Sequence, residues 1–349
     1  MEVSKIGISE CELFKKYKSS YKLAFIDISI HFFYLALINY LLVYLQNSLF
    51  SIFIVPILAL LNIKTFIIFH DCGHNSYTPN KTVNYIIGFM TGTLIYYPFS
   101  WNYRHHTHHL TNGNYENKYD YSYNELIFFS FDQYKELSVT KRSVIKIILS
   151  PYMVFGLITY VYFLILERMY IILFFKRKYA TNPNKVYLIM EQLTNNLGVI
   201  LIFYLQYKYS IFYPSLFAYF ISATCGSILF FNQHTFNPPY VVDNKTWNVK
   251  DSGIKGSSFI QIPSYLKYFT GGIEYHHIHH FNPKIPSYNL QKYHETVVNS
   301  SKIFDDVKKL SIQECFNNLS LAVYNEKTNR FITFLEADEL IQEIIEKEK

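Results

Sequence analysis

An apolar run over residues 23–45, an uncharged turn at Gln46 and Asn47, and a second apolar run from residue 49 towards 69 leave this chain few folds to choose from. Each run is long enough to cross a bilayer as a helix, and a turn that short returns the chain to the face it came from. The composition agrees. Half of the residues are hydrophobic and 17% are charged, against roughly a quarter charged in an ordinary soluble domain. Lys15, Lys16, Lys18 and Lys22 flank the start of the first run while the far turn carries no charge, so the positive-inside rule puts both ends of the hairpin in the cytoplasm. Lys64 interrupts the second run and is expected to snorkel towards the headgroups. The net charge of +6 comes with no long basic arm, and nothing else supports a nucleic-acid partner. Cys11, Cys72, Cys225 and Cys315 stand far apart with no CxxC spacing, which indicates neither a disulfide framework nor a zinc finger. The polar amino terminus lacks the pattern of a cleaved signal peptide.

Further apolar segments cover residues 83–99, 144–166, 197–206 and 211–231. The first has 17 residues with Gly88, Gly92 and Pro98; the second carries Lys146, Pro151 and Gly156 and is followed by Lys176, Arg177 and Lys178. Both are expected to be re-entrant or interfacial. The third is short and has to borrow flanking residues such as Leu193. The expected fold is therefore an all-α integral membrane protein: about four transmembrane helices, two partly inserted segments and a cytoplasmic helical cap. Residues 1–22 read as a cytoplasmic segment, 23–335 as the membrane domain, and 336–349 as a solvated, charged C-terminal helix with apolar residues at helical spacing.

Thirteen histidines occur, and ten fall in three strings: His70-Asp-Cys-Gly-His74, His105-His106-Thr-His108-His109 and His276-His277-Ile-His279-His280. On a helix, residues i, i+3 and i+4 share a face. His70 with His74 makes a two-ligand face; His105, His108 and His109 make a three-ligand face, as do His276, His279 and His280. Eight imidazoles exceed what one zinc needs and suit two first-row transition metals that keep open positions. There is no HExxH string, and Asp71 is the one carboxylate within the clusters, which disfavours a hydrolytic zinc site. Imidazole softness fits iron, copper, nickel or zinc. The setting favours iron, because substrates at a membrane are hydrocarbon and the useful reaction there is oxygen activation. If the three clusters meet at one site, an even number of crossings separates each from the next.

The strings FHDCGH, WNYRHHTHH, FFNQHTF and GGIEYHHIHHFNPKIPSYNL resemble those of membrane fatty acid desaturases, with the nearest likeness to the acyl-lipid omega-6 (delta-12) type and related bacterial enzymes. The likeness runs from about residue 20 to about residue 335. It implies oxygen-dependent desaturation of a fatty acyl chain by two irons held by His70, His74, His105, His108, His109, His276, His279 and His280. It also places a histidine at His234, which emerges just past the last apolar residue of a span; eight ligands leave two irons less than fully coordinated, so His234 is read as a ninth. His106 and His277 are extra to the minimal pattern and are read as hydrogen-bonding residues behind the ligands. Two departures stand out. Relatives often carry an acidic residue shortly after the histidine matching His234, where this chain has Asn237, and the stretch NYENKYDYSYNE after the second cluster differs in length.

No haem, flavin or iron–sulfur motif is present in the sequence, so electrons have to come from an external donor, a small b-type cytochrome or a ferredoxin, with dioxygen as co-substrate. The membrane is read as the endoplasmic reticulum or a bacterial cytoplasmic membrane. A fatty acyl hydroxylase or acetylenase would use the same scaffold, and the ligand motifs do not separate those outcomes. A metal transporter would need more ionisable residues within the spans than His31, Asp27 and Lys64.

Overall fold

The computed structural model describes residues 10–116, 128–170, 184–299 and 302–349. Lys176, Arg177, Lys178 and most of the stretch after the second cluster lie outside them.

A short helix, α1 (Glu10–Tyr17), leads into α2 (Tyr21–Tyr44), and α3 (Ser51–Gly73) returns. At 24 and 23 residues, α2 and α3 are each about 35 Å long, more than the hydrocarbon core requires. α4 (Lys81–Leu94) begins where the side chain of Asn80 accepts the N–H groups of Thr82 and Val83, a side-chain cap. Its 14 residues give only about 21 Å, and the chain then doubles back through residues 95–100 into α5 (Trp101–Thr111). Two glycines make that return possible. A Cβ on Gly88 would sit 2.2 Å from the Phe99 ring, and one on Gly92 would sit 2.7 Å from the Tyr97 carbonyl.

After the short strand β1 (Phe129–Ser130) come α6 (Phe131–Lys135), α7 (Val139–Ile148) and α8 (Tyr152–Leu166), with a 55° bend between the last two. This is the segment expected to insert partly; α8 is π-helical over Tyr152–Ile158 and Tyr162–Leu166. α9 (Glu167–Tyr170) follows it. α10 (Lys185–Lys208) and α11 (Phe212–His234) complete a set of four helices long and apolar enough to span a membrane. Their outward surfaces carry exposed Phe25, Phe33, Phe53, Leu197, Ile200 and Phe217, and exposed Tyr44, Tyr207, Tyr209 and Tyr213 cluster at the ends opposite the histidines. Apolar flanks with aromatic rims are what a lipid-facing bundle requires.

One expectation is met and one needs correction. α10 borrows flanking residues, Leu193 among them, and starts twelve residues before the short run at 197–206, because its polar residues have partners inside the bundle. The Glu191 carboxylate accepts the N–H groups of Phe99 and Ser100, and Asn195 donates to Thr93 Oγ1 and the Tyr97 carbonyl. Lys64 does not snorkel. It is 2% exposed, its Nζ is 2.9 Å from the Asp27 carboxylate, and that carboxylate also accepts the Tyr77 hydroxyl at 3.0 Å.

Beyond α11 lies the cap: α12 (Val249–Ile254), β2 (Phe259–Ile260), α13 (Lys267–Thr270), α14 (His276–Phe281) and α15 (Ser287–Val298), then β3 (Lys309–Leu310), α16 (Ile312–Asn318), β4 (Leu321–Asn325), β5 (Arg330–Thr333) and α17 (Phe334–Lys347). The architecture is mostly helical, with two small sheets that the sequence reading did not include. β2 pairs in parallel with β3, and β1-β4-β5 form a three-stranded sheet. α17 is not a solvated tail. Thr333 and Glu336 form a capping box at its start, and Ala337 and Ile341, four residues apart on one face, are buried with Phe131, Tyr134, Val323 and Ile332.

Candidate metal centre

The first histidine string occupies the last turn of α3, the second the middle of α5, the third all of α14, and His234 is the last residue of α11. Four elements far apart in sequence therefore meet at one end of the bundle. Nine imidazoles sort into two groups. His70, His74, His105, His109 and His279 form one, and His108, His234, His276 and His280 form the other; within each, one nitrogen from every ring lies within 4.8 Å of all the rest. All nine are buried.

The approaching atoms are Nε2. His70 to His105 is 2.9 Å, His105 to His109 is 3.2 Å and His109 to His279 is 2.9 Å in the first group. His234 stands 3.1 Å from His108 and 2.9 Å from His276 in the second. A neutral imidazole has one N–H and one lone pair, so a ring whose N–H is used elsewhere can only present a lone pair here. His234 is such a ring: its Nδ1 lies 2.9 Å from the Gly256 carbonyl, which only an N–H can satisfy. His70 is another, with Nδ1 at 3.3 Å from the Asp71 carboxylate. The Nε2 atoms of His74 and His280 are buried with no hydrogen-bond partner among the described residues. Lone pairs converging among buried rings repel one another unless a cation sits between them. The donor set fits two imidazole-preferring metal ions.

Burial holds His74, His105, His108, His109, His276, His279 and His280 well below the ordinary histidine range, and the neighbouring imidazoles push them further down. These rings are therefore neutral near pH 7, the form that binds metal.

Three supports behind the rings had no role in the sequence reading. Besides meeting His70, Asp71 accepts the backbone N–H of Ser287 at 2.6 Å, tying α3 to the start of α15. Lys284 donates to the His74 carbonyl at 2.6 Å. Asn112 donates to the same Gly256 carbonyl that orients His234, while its own carbonyl accepts from Trp247 Nε1 and Ser252 Oγ. The signal for Asp71 was present: a carboxylate embedded between two candidate ligands in an otherwise apolar helix. Asn112 and Lys284 gave none, since polar residues beside a surface cluster are common.

The two extra histidines part company. His277 is fully buried with its Nε2 3.0 Å from His294 Nδ1 on α15. His106 is exposed and makes no hydrogen bond to a cluster histidine among the described residues. His31, the histidine within α2, is buried with Nε2 2.9 Å from Thr65 Oγ1, away from both groups.

The sequence profile of the fatty acid desaturase family matches residues 47–302, which contain all nine histidines. Over 279 residues the chain is 29% identical to a fatty acid desaturase of Bacillus subtilis, covering 78% of this chain and 74% of that protein. Shorter stretches are similar to an sn-1 acyl-lipid omega-3 desaturase (ferredoxin) of Synechocystis sp., 44% identical over 14% of each chain. A chloroplastic omega-3 fatty acid desaturase of Ricinus communis is 36% identical over 19% of this chain and 15% of its own length.

Proposed function

This chain belongs to the fatty acid desaturase family, and from that premise we propose that it inserts a cis double bond into the acyl chain of a membrane lipid, using dioxygen and two irons. The enzyme is an oxidoreductase. The observation that carries the finer reading is the convergence of nine buried imidazoles in two groups at one end of four apolar helices. His70, His74, His105, His109 and His279 would hold one ion, and His108, His234, His276 and His280 the other. Two irons bound there supply the power to activate dioxygen and remove hydrogen from an unactivated methylene, which no side chain can do.

The chain's own residues prepare that chemistry. Asp71 and the Gly256 carbonyl fix the tautomers of His70 and His234, so each aims a lone pair inward, the usual task of groups behind metal ligands. The Trp101 ring lies flat against His105 with centroids 4.5 Å apart. Phe230 covers His108 and His234 at 5.2 and 5.3 Å. These rings pack over the imidazoles and would keep water from a metal bound there. Arg104, adjacent to His105, has its Nη1 3.4 Å from the Glu167 carboxylate and donates from Nη2 to the Tyr97 hydroxyl, which anchors the start of α5 against α9.

The site faces the cytoplasm in this reading, where a ferredoxin or a small b-type cytochrome delivers electrons. The double bond is placed at the omega-6 (delta-12) position; the omega-3 specificity in the names of two relatives is the alternative. Expression in a host that makes mainly saturated and monounsaturated acyl lipids, followed by gas chromatography–mass spectrometry of the fatty acids with the double bonds located by derivatisation, decides the reaction and the position of the bond. The expected product is a new cis-dienoic acid lost in the His108→Ala variant. A hydroxylated or acetylenic product, or an unchanged profile, would overturn the reading.

A further inference from the structure

His234 is the last residue of a 23-residue helix, where a helix has no further turn to hold it and its closing carbonyls lack internal partners. Besides Gly256, Ser258 and Ile273, which bond residues 232–234, the segment around it is held by residues from the far end of the chain. Two positions before it, Asn232 accepts at Oδ1 from the Asn318 side chain at 3.3 Å. Two positions after it, Phe236 is 1% exposed and packs with Leu310 and Cys315. Three positions after it, Asn237 makes a two-way pair with one residue of β5. Its Oδ1 accepts the Phe331 N–H at 2.8 Å and its Nδ2 donates to the Phe331 carbonyl at 2.9 Å. A primary amide copies in this way the exchange that a neighbouring strand would make, and it closes an otherwise open sheet edge. Asn318, Phe331, Leu310 and Cys315 all lie beyond residue 302, where the match to the family profile ends.

We propose that residues 309–347 are a positioning module for the four-histidine group, acting through Asn237 on His234. This rests on the reading that the group holds an ion. Asn237 touches no reacting atom; it is a positioning residue, and the amide N–H it donates to Phe331 is what an aspartate lacks. The departure at position 237 noted above is then this chain's match to its own C-terminal sheet.

The test uses the full-length protein purified in detergent, with Asn237→Asp as the near-isosteric variant and His234→Ala as comparator. Iron content is measured on protein as isolated, and cobalt affinity on stripped protein. Asn237→Asp is expected to hold about one ion where the wild type holds two, with cobalt at the second site at least about 10-fold weaker. Helical circular dichroism should be unchanged. Hydrogen–deuterium exchange of the metal-free proteins should quicken over residues 231–238 and stay as in the wild type over 66–74 and 101–111. Wild-type ion content and exchange in Asn237→Asp would overturn the proposal. So would loss of both ions together, exchange quickened throughout, or a variant that fails to fold, since each describes a general stabilising role. A wild type with no bound ion, or with content unmoved by His234→Ala, would instead sink the two-ion reading. The exchange measurement would then decide the link by itself.

Discussion

Asp71 lies between two candidate ligands and touches only one of them. One of its oxygens faces His70 Nδ1 and the other takes the Ser287 N–H. Carboxylates behind metal-bound histidines typically add 10- to 100-fold to metal affinity. Asp71→Ala is therefore expected to weaken iron binding at the five-histidine group by about that range, read by chelator competition; an unchanged affinity would remove Asp71 from the site. The two histidines outside the clusters but within spans make a matched pair. His234→Ala should lose one ion and nearly all turnover, whereas His31→Ala, whose ring meets only Thr65 among its hydrogen-bond partners, should keep both. Equal metal content in the two variants would contradict this. Acid provides a further check. Seven of the converging histidines are held by burial below the ordinary histidine value of about 6.5, so the unfolded chain takes up protons first as the pH falls. Stability of the metal-free protein is thus full above about 6.5 and is lost on acidification below it. Thermal unfolding between pH 8 and 5 should show a falling midpoint, and a flat profile would mean the rings are not buried neutral.

At the scale of the element, α3 carries the most. It packs against α2, α4 and α11, ends in the first histidine pair, and holds Lys64 in an ion pair with Asp27 of α2 at 2.9 Å. Removing one partner of a buried pair leaves a charge with no counter-ion, and typically costs about 3 kcal/mol or more, while replacing both with apolar residues is often neutral. Lys64→Met is expected to lower the unfolding midpoint in detergent markedly, and the double variant Asp27→Leu/Lys64→Met to recover most of it. If both behave alike, the pair contributes nothing specific to the packing of α2 on α3. α10 teaches the complementary point. Glu191 and Asn195 look like interruptions in a hydropathy profile, yet they receive and donate the hydrogen bonds that hold residues 93–100. A buried polar side chain in a span is tolerated when a backbone that has left its helix needs it.

For the molecule as a whole, the two histidine groups sit at one end of the bundle and the turn at Gln46 and Asn47 at the other, so one measurement orients both. A cysteine-free variant carrying Asn47→Cys should be labelled by a membrane-impermeant maleimide applied to intact cells, and one carrying Asn299→Cys should react only after permeabilisation. Both positions are exposed, so lack of labelling reports sidedness and not burial. The reverse pattern would turn the catalytic face outward and exclude a cytoplasmic electron donor.

How much of this was legible beforehand follows from the range of the interactions involved. Helical spacing within ten residues decides which histidines share a face, and the apolar runs decide that the first pair and His234 close membrane-length helices; both are local, so the sequence determined them unaided. That the clusters meet was the premise from which the parity of crossings was drawn, and the fold brings them to one end of the bundle. The pairing within the centre was not legible. Nothing local tells that His279 joins His70 and His105 while its neighbour His280 joins His108 and His234, because that depends on how α14 is rotated against α5 and α11. The supports were equally hidden, since Asn237 finds Phe331 and Asp71 finds Ser287 across 94 and 216 residues. Hydropathy records the cost of burying a polar group but not the partner that cancels it, and only the tertiary structure decides who that partner is.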